Sequence, residues 1–186
     1  DIPTFPKKIG IVTSPTGAAL QDMLNTLKSR FPLVEVILAP TMVQGEDAPP
    51  KIVQAIRDLN QLLDVDIIIV ARGGGSMEDL WAFNDERVVR AIASSRIPVV
   101  TGIGHETDTT LADYAADVRA PTPTGAAVVV TPDKTELLDE LQGLQVELDN
   151  VVDRKIRQYH QDIVSMRWQL NFLSPLNRIR NNLQRL

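Results

Sequence analysis

The chain reads as an α/β protein: a mainly parallel open sheet flanked by helices, followed by a long coiled-coil-like helical extension. Three observations predict this. From Lys8 to Val130 short β-branched runs alternate with amphipathic helical stretches, the mark of βα units. Those runs break into glycine, proline, hydroxyl or charged residues where a strand would end. After Thr131-Pro132 glycine nearly vanishes and apolar residues recur at steps of three and four.

Four strands are expected, near Ile9 to Thr13, Val34 to Ala39, Asp66 to Ala71 and Pro98 to Gly102. Between them the spacing of Leu20, Met23, Leu24 and Leu27, and of Ile52, Ile56, Leu59 and Leu63, puts one apolar stripe on each of two helices. Ser14-Pro15 and Thr122-Pro123 each pair an N-cap residue with proline at the first helical position. Ser76-Met77-Glu78-Asp79 fits a capping box. The expected division is a linker over 1–7, an α/β domain over 8–131 and a helical region over 132–186.

In the last region Leu137, Leu141, Leu144, Leu148, Val152, Ile156, Tyr159, Ile163, Met166 and Leu170 describe a coiled-coil seam with one stutter. Its charge is segregated. Seven acidic side chains face one lysine from Asp133 to Asp153, and seven basic ones face a single aspartate from Arg154 to Leu186. Such a helix suits antiparallel pairing with its own kind, or holds a charged helix in register; two solvated faces are the plainer reading. Asn171 to Pro175 interrupts the pattern with a turn or a helix restart at Ser174-Pro175.

The 186 residues carry 44% apolar side chains, no cysteine and a formal charge of −5. That apolar content is enough for a buried core. The lack of cysteine excludes disulfides and thiolate metal sites and fits a reducing compartment, so a cytoplasmic location is expected. No apolar run reaches the roughly 18 residues a membrane span needs. The chain opens DIPTFPKKIG, without an initiator Met, and ends NNLQRL inside a helical pattern, as a piece of a longer protein would. Residues 1–130 hold 11 basic and 16 acidic side chains, so a polyanionic ligand needs a local basic patch or a partner subunit.

Chemistry concentrates where the expected strands end. Arg72-Gly73-Gly74-Gly75-Ser76 follows the run Ile67 to Ala71 and leads into a helical stretch. Its backbone amides can cradle a phosphate, with Arg72 supplying a permanent charge and forked donors. A plain structural turn also accounts for the glycines, though not for Arg72 beside them. The run Ile97 to Ile103 ends in Gly104-His105-Glu106-Thr107-Asp108. If a helix begins near His105, then His105 and Asp108 share one face, a general acid or base beside a carboxylate. The plainer reading is that Thr107 or Asp108 caps the next helix. Ser14, Thr16 and Gly17 in the first βα loop are further phosphate-binding candidates, and Asp22 lies about two turns into the helix that follows. Arg119 reads first as structural and second as a phosphate contact. Trp81 and Phe83 read as core residues, with base stacking as the alternative. His160 reads as a helix-surface or packing residue. Parallel sheets gather such loops at one edge, so Asp22, Arg72 and His105 converge if their strands are neighbours.

At these residues the chain resembles the large-subunit family of exodeoxyribonuclease VII. The resemblance rests on PKKIGIVTSPTGAALQD, VQGEDAP, RGGGSMEDLWAFNDE, GIGHETDTTLADYAADVRAPTPTGAA and the LSPLNRI segment, in the family's order over most of the chain. It implies a nuclease that degrades single-stranded DNA from either end to short oligonucleotides. It further implies an N-terminal OB-type DNA-binding domain ahead of residues 1–7, and long helices that bind a small helical subunit. Asp22, Arg72, His105 and Asp108 match the family's proposed catalytic groups, which are described as working without a divalent metal. Gln21, Thr109 and Val128 depart from residue types common in the family. Mg²⁺ or Mn²⁺ held by Asp22, His105 and Asp108 is the alternative mechanism. A non-catalytic DNA-binding and assembly module is the alternative function. A small-molecule phosphohydrolase would explain the glycine loop but not the helical tail.

Overall fold

The computed structural model describes residues 2–74, 77–105, 108–173 and 175–183, apart from the side chains of residues 77–79, 173, 177, 178, 181 and 182. Gly75 and Ser76, both phosphate-cradle candidates, therefore lie outside the described residues, as does the capping box proposed there.

Among the described residues five parallel strands form one sheet. They are β1 (Lys8–Thr13), β2 (Glu35–Pro40), β3 (Ile67–Arg72), β4 (Val99–Ile103) and β5 (Val118–Arg119), in the spatial order β2-β1-β3-β4-β5. Four match the expected runs. The fifth is two residues long, too short for any periodicity to announce it. The connecting helices are α1 (Ala18–Arg30), α2 (Ala48–Gln61), α3 (Glu86–Ala93), α4 (Leu111–Ala115) and α5 (Pro123–Val129), with a 3-10 segment at Met77–Asn84 before α3.

The sheet is buried on both faces, and β3 shows why its sequence is continuously apolar: all six of its residues are buried. Ile67, Ile69 and Ala71 point to one face with Ile9, Ile11 and Val100, where Leu20, Met23 and Leu27 of α1 and Ala126 and Ala127 of α5 cover them. Ile68 and Val70 point to the other face with Val12 and Val99, under Ile52, Ile56 and Leu59 of α2 and Val88 and Ile92 of α3. This alternation places α1 and α5 together on one side of the sheet. Leu63 leaves the expected stripe: α2 ends at Gln61, and Leu63 is 90% exposed in the loop beyond.

Caps explain most boundaries. Thr122 accepts a hydrogen bond from the Gly125 amide at 2.9 Å with Pro123 opening α5, as expected. Ser14-Pro15 does not start α1. The Gly17 amide instead donates to the Ser14 carbonyl at 3.4 Å, closing a turn, and α1 begins at Ala18 after Gly17 as N-cap. Asp85 caps α3, accepting from the Arg87 amide at 2.8 Å, and the Arg87 guanidinium holds its carboxyl below the usual range.

Gly102 permits the close approach of α5 to β4. A Cβ there would sit 2.9 Å from the Thr122 carbonyl oxygen and 3.0 Å from the Pro123 Cα. Backbone cannot rotate out of the way. Gly102→Ala is expected to lower stability by about 1–3 kcal/mol in a urea titration, the cost of overpacking.

The chain divides into compact units at 1–136 and 137–186. A 40-residue helix, α6 (Lys134–Leu173), starts in the first and forms most of the second, and α7 (Pro175–Leu183) follows. At 1.5 Å per residue α6 is about 60 Å long. Asp133 anchors its start, accepting from the Thr135 amide at 2.8 Å and from Arg30 Nη1 at 2.9 Å. From Leu141 to Leu170 the seam residues are half or more exposed, save Val152 at 45%, as in an unpartnered coiled-coil strand. Trp168 stacks on Phe172 with ring centroids 5.2 Å apart. His160 is exposed on this helix. Among the described residues no helix is long and apolar enough to cross a membrane.

Candidate active site

In the order β2-β1-β3-β4-β5 the chain winds outward in both directions from β1 and β3, and the crevice beyond their carboxyl ends is where open α/β sheets bind ligands. Register decides which residues reach it. Val12 lies beside Val70, so the loop opening at Ser14 emerges next to Arg72. Arg72 lies beside Ile103, so Gly73 and Gly74 emerge next to Gly104 and His105.

A cleft of about 570 Å³ occupies this crevice. Its described lining includes Ser14, Gly17, Asp22, Arg72, Gly73 and Gly74, together with Thr122, Pro123 and Thr124 at the start of α5. Ala18 and Ala19 also line it, so the first turn of α1 borders the cleft, and that turn carries no acidic side chain. A helix start of this kind favours an anion. Asp22 is exposed on α1, about one turn in rather than two, because the helix begins at Ala18.

Arg72 is 2% exposed, held at the end of the central strand while still lining the cleft. A guanidinium held there presents a planar fork of donors matched to phosphate oxygens. Gly73 brings the loop against α1, where a Cβ would stand 3.4 Å from that of Ala19.

His105 stands beside the glycine loop: a Cβ on Gly74 would lie 3.6 Å from its Cε1. The side chain is 67% exposed, and its Nδ1 is 3.8 Å from Asp108 Oδ2. That separation is an ion-pair distance, charged only when the imidazole is protonated, and longer than a hydrogen bond. No helix brings the two together. The Asp108 amide donates to the His105 carbonyl at 3.0 Å, a turn, and α4 starts later at Leu111, capped by a reciprocal Thr110–Asp113 box. Thr110, not Asp108, is therefore the cap, and Thr107 lies outside the described residues. Gly104 makes the turn possible with φ of +80°, a conformation a side chain would strain.

Arg119 Nη2 donates to the carbonyls of His105 and Asp108 at 3.4 Å each, tying this turn to β5. It does not appear in the described lining of the cleft, nor does Thr16, whose Oγ1 lies 3.4 Å from Ser14 Oγ. Phe83 is fully buried, as expected, but Trp81 is 72% exposed and does not belong to the core. Thr124, on the cleft wall in the first turn of α5, is a residue the sequence reading did not single out; its hydroxyl beside a proline-led helix start is the signal that marks it.

Among the described residues no three histidine or acidic side chains gather at metal-binding distance. The His105–Asp108 pair stands beside the glycine loop but is not in the described lining of the cleft, which holds Asp22.

The family model described as "Exonuclease VII, large subunit" matches residues 1–186. Among curated proteins, the exodeoxyribonuclease 7 large subunit of Streptococcus gordonii is 48% identical over the whole chain, which covers 42% of that protein. That of Desulfitobacterium hafniense is 49% identical over 185 residues, covering 46% of its length. That of Brevibacillus brevis is 53% identical over 151 residues, 81% of this chain and 33% of that protein. The chain thus spans less than half the length of these relatives. With a full-length family match and identities near one half, the chain belongs to the exonuclease VII large-subunit family.

Proposed function

We propose that this chain carries the catalytic α/β part of an exodeoxyribonuclease that hydrolyses phosphodiester bonds of single-stranded DNA. One observation carries the reading: Asp22, Arg72 and the Gly73-Gly74 backbone line one cleft at the β1/β3 crevice, with His105 against Gly74.

Hydrolysis needs an in-line water, stabilisation of charge on the non-bridging oxygens and a proton for the leaving oxygen. Arg72 and the amides of the glycine loop and α1 hold the phosphoryl oxygens. Asp22 orients the attacking water and accepts its proton. His105 donates a proton to the departing oxygen, and Asp108 orients the imidazole, drawing closer than 3.8 Å once substrate is seated; catalytic contacts commonly tighten on binding. Atoms balance: one O–H bond of water and one P–O bond break, while one P–O and one O–H bond form. No step passes through a metal.

Arg119 serves by holding the His105–Asp108 turn, and Ser14, Thr16, Gly17, Gly75 and Ser76 complete the phosphate-binding loops. Trp81, exposed just after the glycine loop, offers a face on which a base can stack. The exposed seam of α6 is the docking strip for the family's small helical subunit or for a second copy. Location in the cytoplasm follows from the substrate.

Asp22→Asn tests the reading. Assembled with the family's small subunit and incubated with end-labelled single-stranded DNA, the variant is expected to cleave about 10²- to 10⁴-fold more slowly than the parent. The parent should release short oligonucleotides from either labelled end in excess chelator. Cleavage lost in chelator and restored by Mg²⁺ or Mn²⁺ would replace this mechanism with the metal alternative. Undiminished cleavage by Asp22→Asn would remove Asp22 from the site.

A further inference from the structure

Residues 1–130 are net acidic, yet one groove on them is not. Between α2 and α3 lies a cavity of about 670 Å³ whose described lining includes Arg57, Arg87, Arg90 and Arg96 and no carboxylate. All four arginines are exposed. Two have acidic neighbours outside the groove, Arg87 with Asp85 and Arg90 with Glu86, each at 2.8 Å or less. Arg96 Nη2 donates to the carbonyls of Asn60 and Leu62, which fixes its guanidinium without neutralising it. Arg57 projects from α2 on the same side.

The groove is not isolated. Gln54 borders both this cavity and a second of about 510 Å³ beside Pro40 and Lys51. Ser14 and Met42 in turn border both that second cavity and the candidate active-site cleft. Three neighbouring depressions therefore share wall residues in succession, from the β1/β3 crevice, past the carboxyl end of β2, to the arginine groove. The middle one is walled by Pro15, Ala39, Pro40, Met42 and Ala55, with both the Lys51 ammonium and the Asp58 carboxylate in its lining.

We propose that these depressions form a track for single-stranded nucleic acid, in which the arginine groove holds backbone phosphates several nucleotides from the one in the cleft. The inference rests on the proposed function and extends it from one phosphate to a strand. It supplies the local basic patch that an acidic α/β domain needs to attract a polyanion. Apolar walls in the middle section suit bases and deoxyriboses, and the arginines at its far end suit phosphates.

The test compares 5′-phosphorylated oligothymidylates of two and fifteen nucleotides binding to the 186-residue chain carrying His105→Ala, so that the probe survives. Adding Arg57→Ala and Arg90→Ala is expected to weaken the fifteen-mer by about three- to tenfold and to flatten its log-affinity against log-salt slope by about 1.4, roughly 0.7 per contact. The two-mer, too short to span from cleft to groove, should show no such change in slope. Lysine at both positions should restore the slope, because the track needs charge there. Thermal unfolding confirms that each variant is folded. If the fifteen-mer binds and the alanines change neither affinity nor slope, the track is wrong while the site stands. If neither oligonucleotide binds, both readings fail together. Self-association of the chain that weakens in the alanine variant, with fifteen-mer binding unchanged, would assign the groove to the acidic half of α6 on a second copy and overturn the track.

Discussion

His105→Ala is expected to slow single-stranded DNA cleavage by about 10²- to 10⁴-fold, the usual contribution of a positioned proton-transfer group. Fold and stability should change little, because the side chain is 67% exposed and packs no core. The combination is diagnostic. A rate loss without a shift in the unfolding midpoint separates chemistry from structure. Asp108→Asn, which keeps shape but removes charge, should cost less than His105→Ala, because Asp108 acts through the imidazole. Activity of His105→Ala within a fewfold of the parent would remove it from the mechanism.

Arg72 carries the second large effect. Arg72→Ala should reduce turnover by about 10²- to 10³-fold, as when a preorganised donor to a developing oxyanion is deleted. It should also destabilise the fold, since a side chain only 2% exposed at the end of the central strand leaves a cavity when truncated. The two consequences are separated by Arg72→Lys, which keeps a positive charge but not the planar fork. If Arg72 grips phosphoryl oxygens, the lysine variant stays folded in urea titration and still loses most of its turnover. Full activity in that variant would reduce Arg72 to a structural ion.

The strands were legible because burial on both faces demands near-continuous β-branched runs, and IIIVA at β3 has no other economical reading. Strand β5 was not, because two residues hold no pattern; it is defined by its pairing with Val100 and Thr101. The start of α1 was misplaced because Ser14-Pro15 carries the chemistry of a cap, while the chain first spends Ser14 to Gly17 on a turn. The closeness of His105 and Asp108 was expected from a helix and arises from a loop. Spacing of three residues brings side chains together in either, so the residues were legible and their scaffold was not. Trp81 shows the limit of amphipathic pattern: the 3-10 segment buries Leu80, Ala82 and Phe83 and turns Trp81 outward. Convergence of Asp22 with Arg72 depended on β1 and β3 being neighbours. Strand order is a property of the whole sheet, which no local motif encodes.

On the proposed function, one cleft at the β1/β3 crevice holds the scissile phosphate. A crystal structure of the His105→Ala chain with a short 5′-phosphorylated single-stranded oligonucleotide tests it most directly. A phosphate is expected within hydrogen-bond distance of the Arg72 guanidinium and the Gly73-Gly74 amides, with Asp22 facing the same phosphorus. An oligonucleotide bound elsewhere, with this cleft holding only solvent, would contradict it.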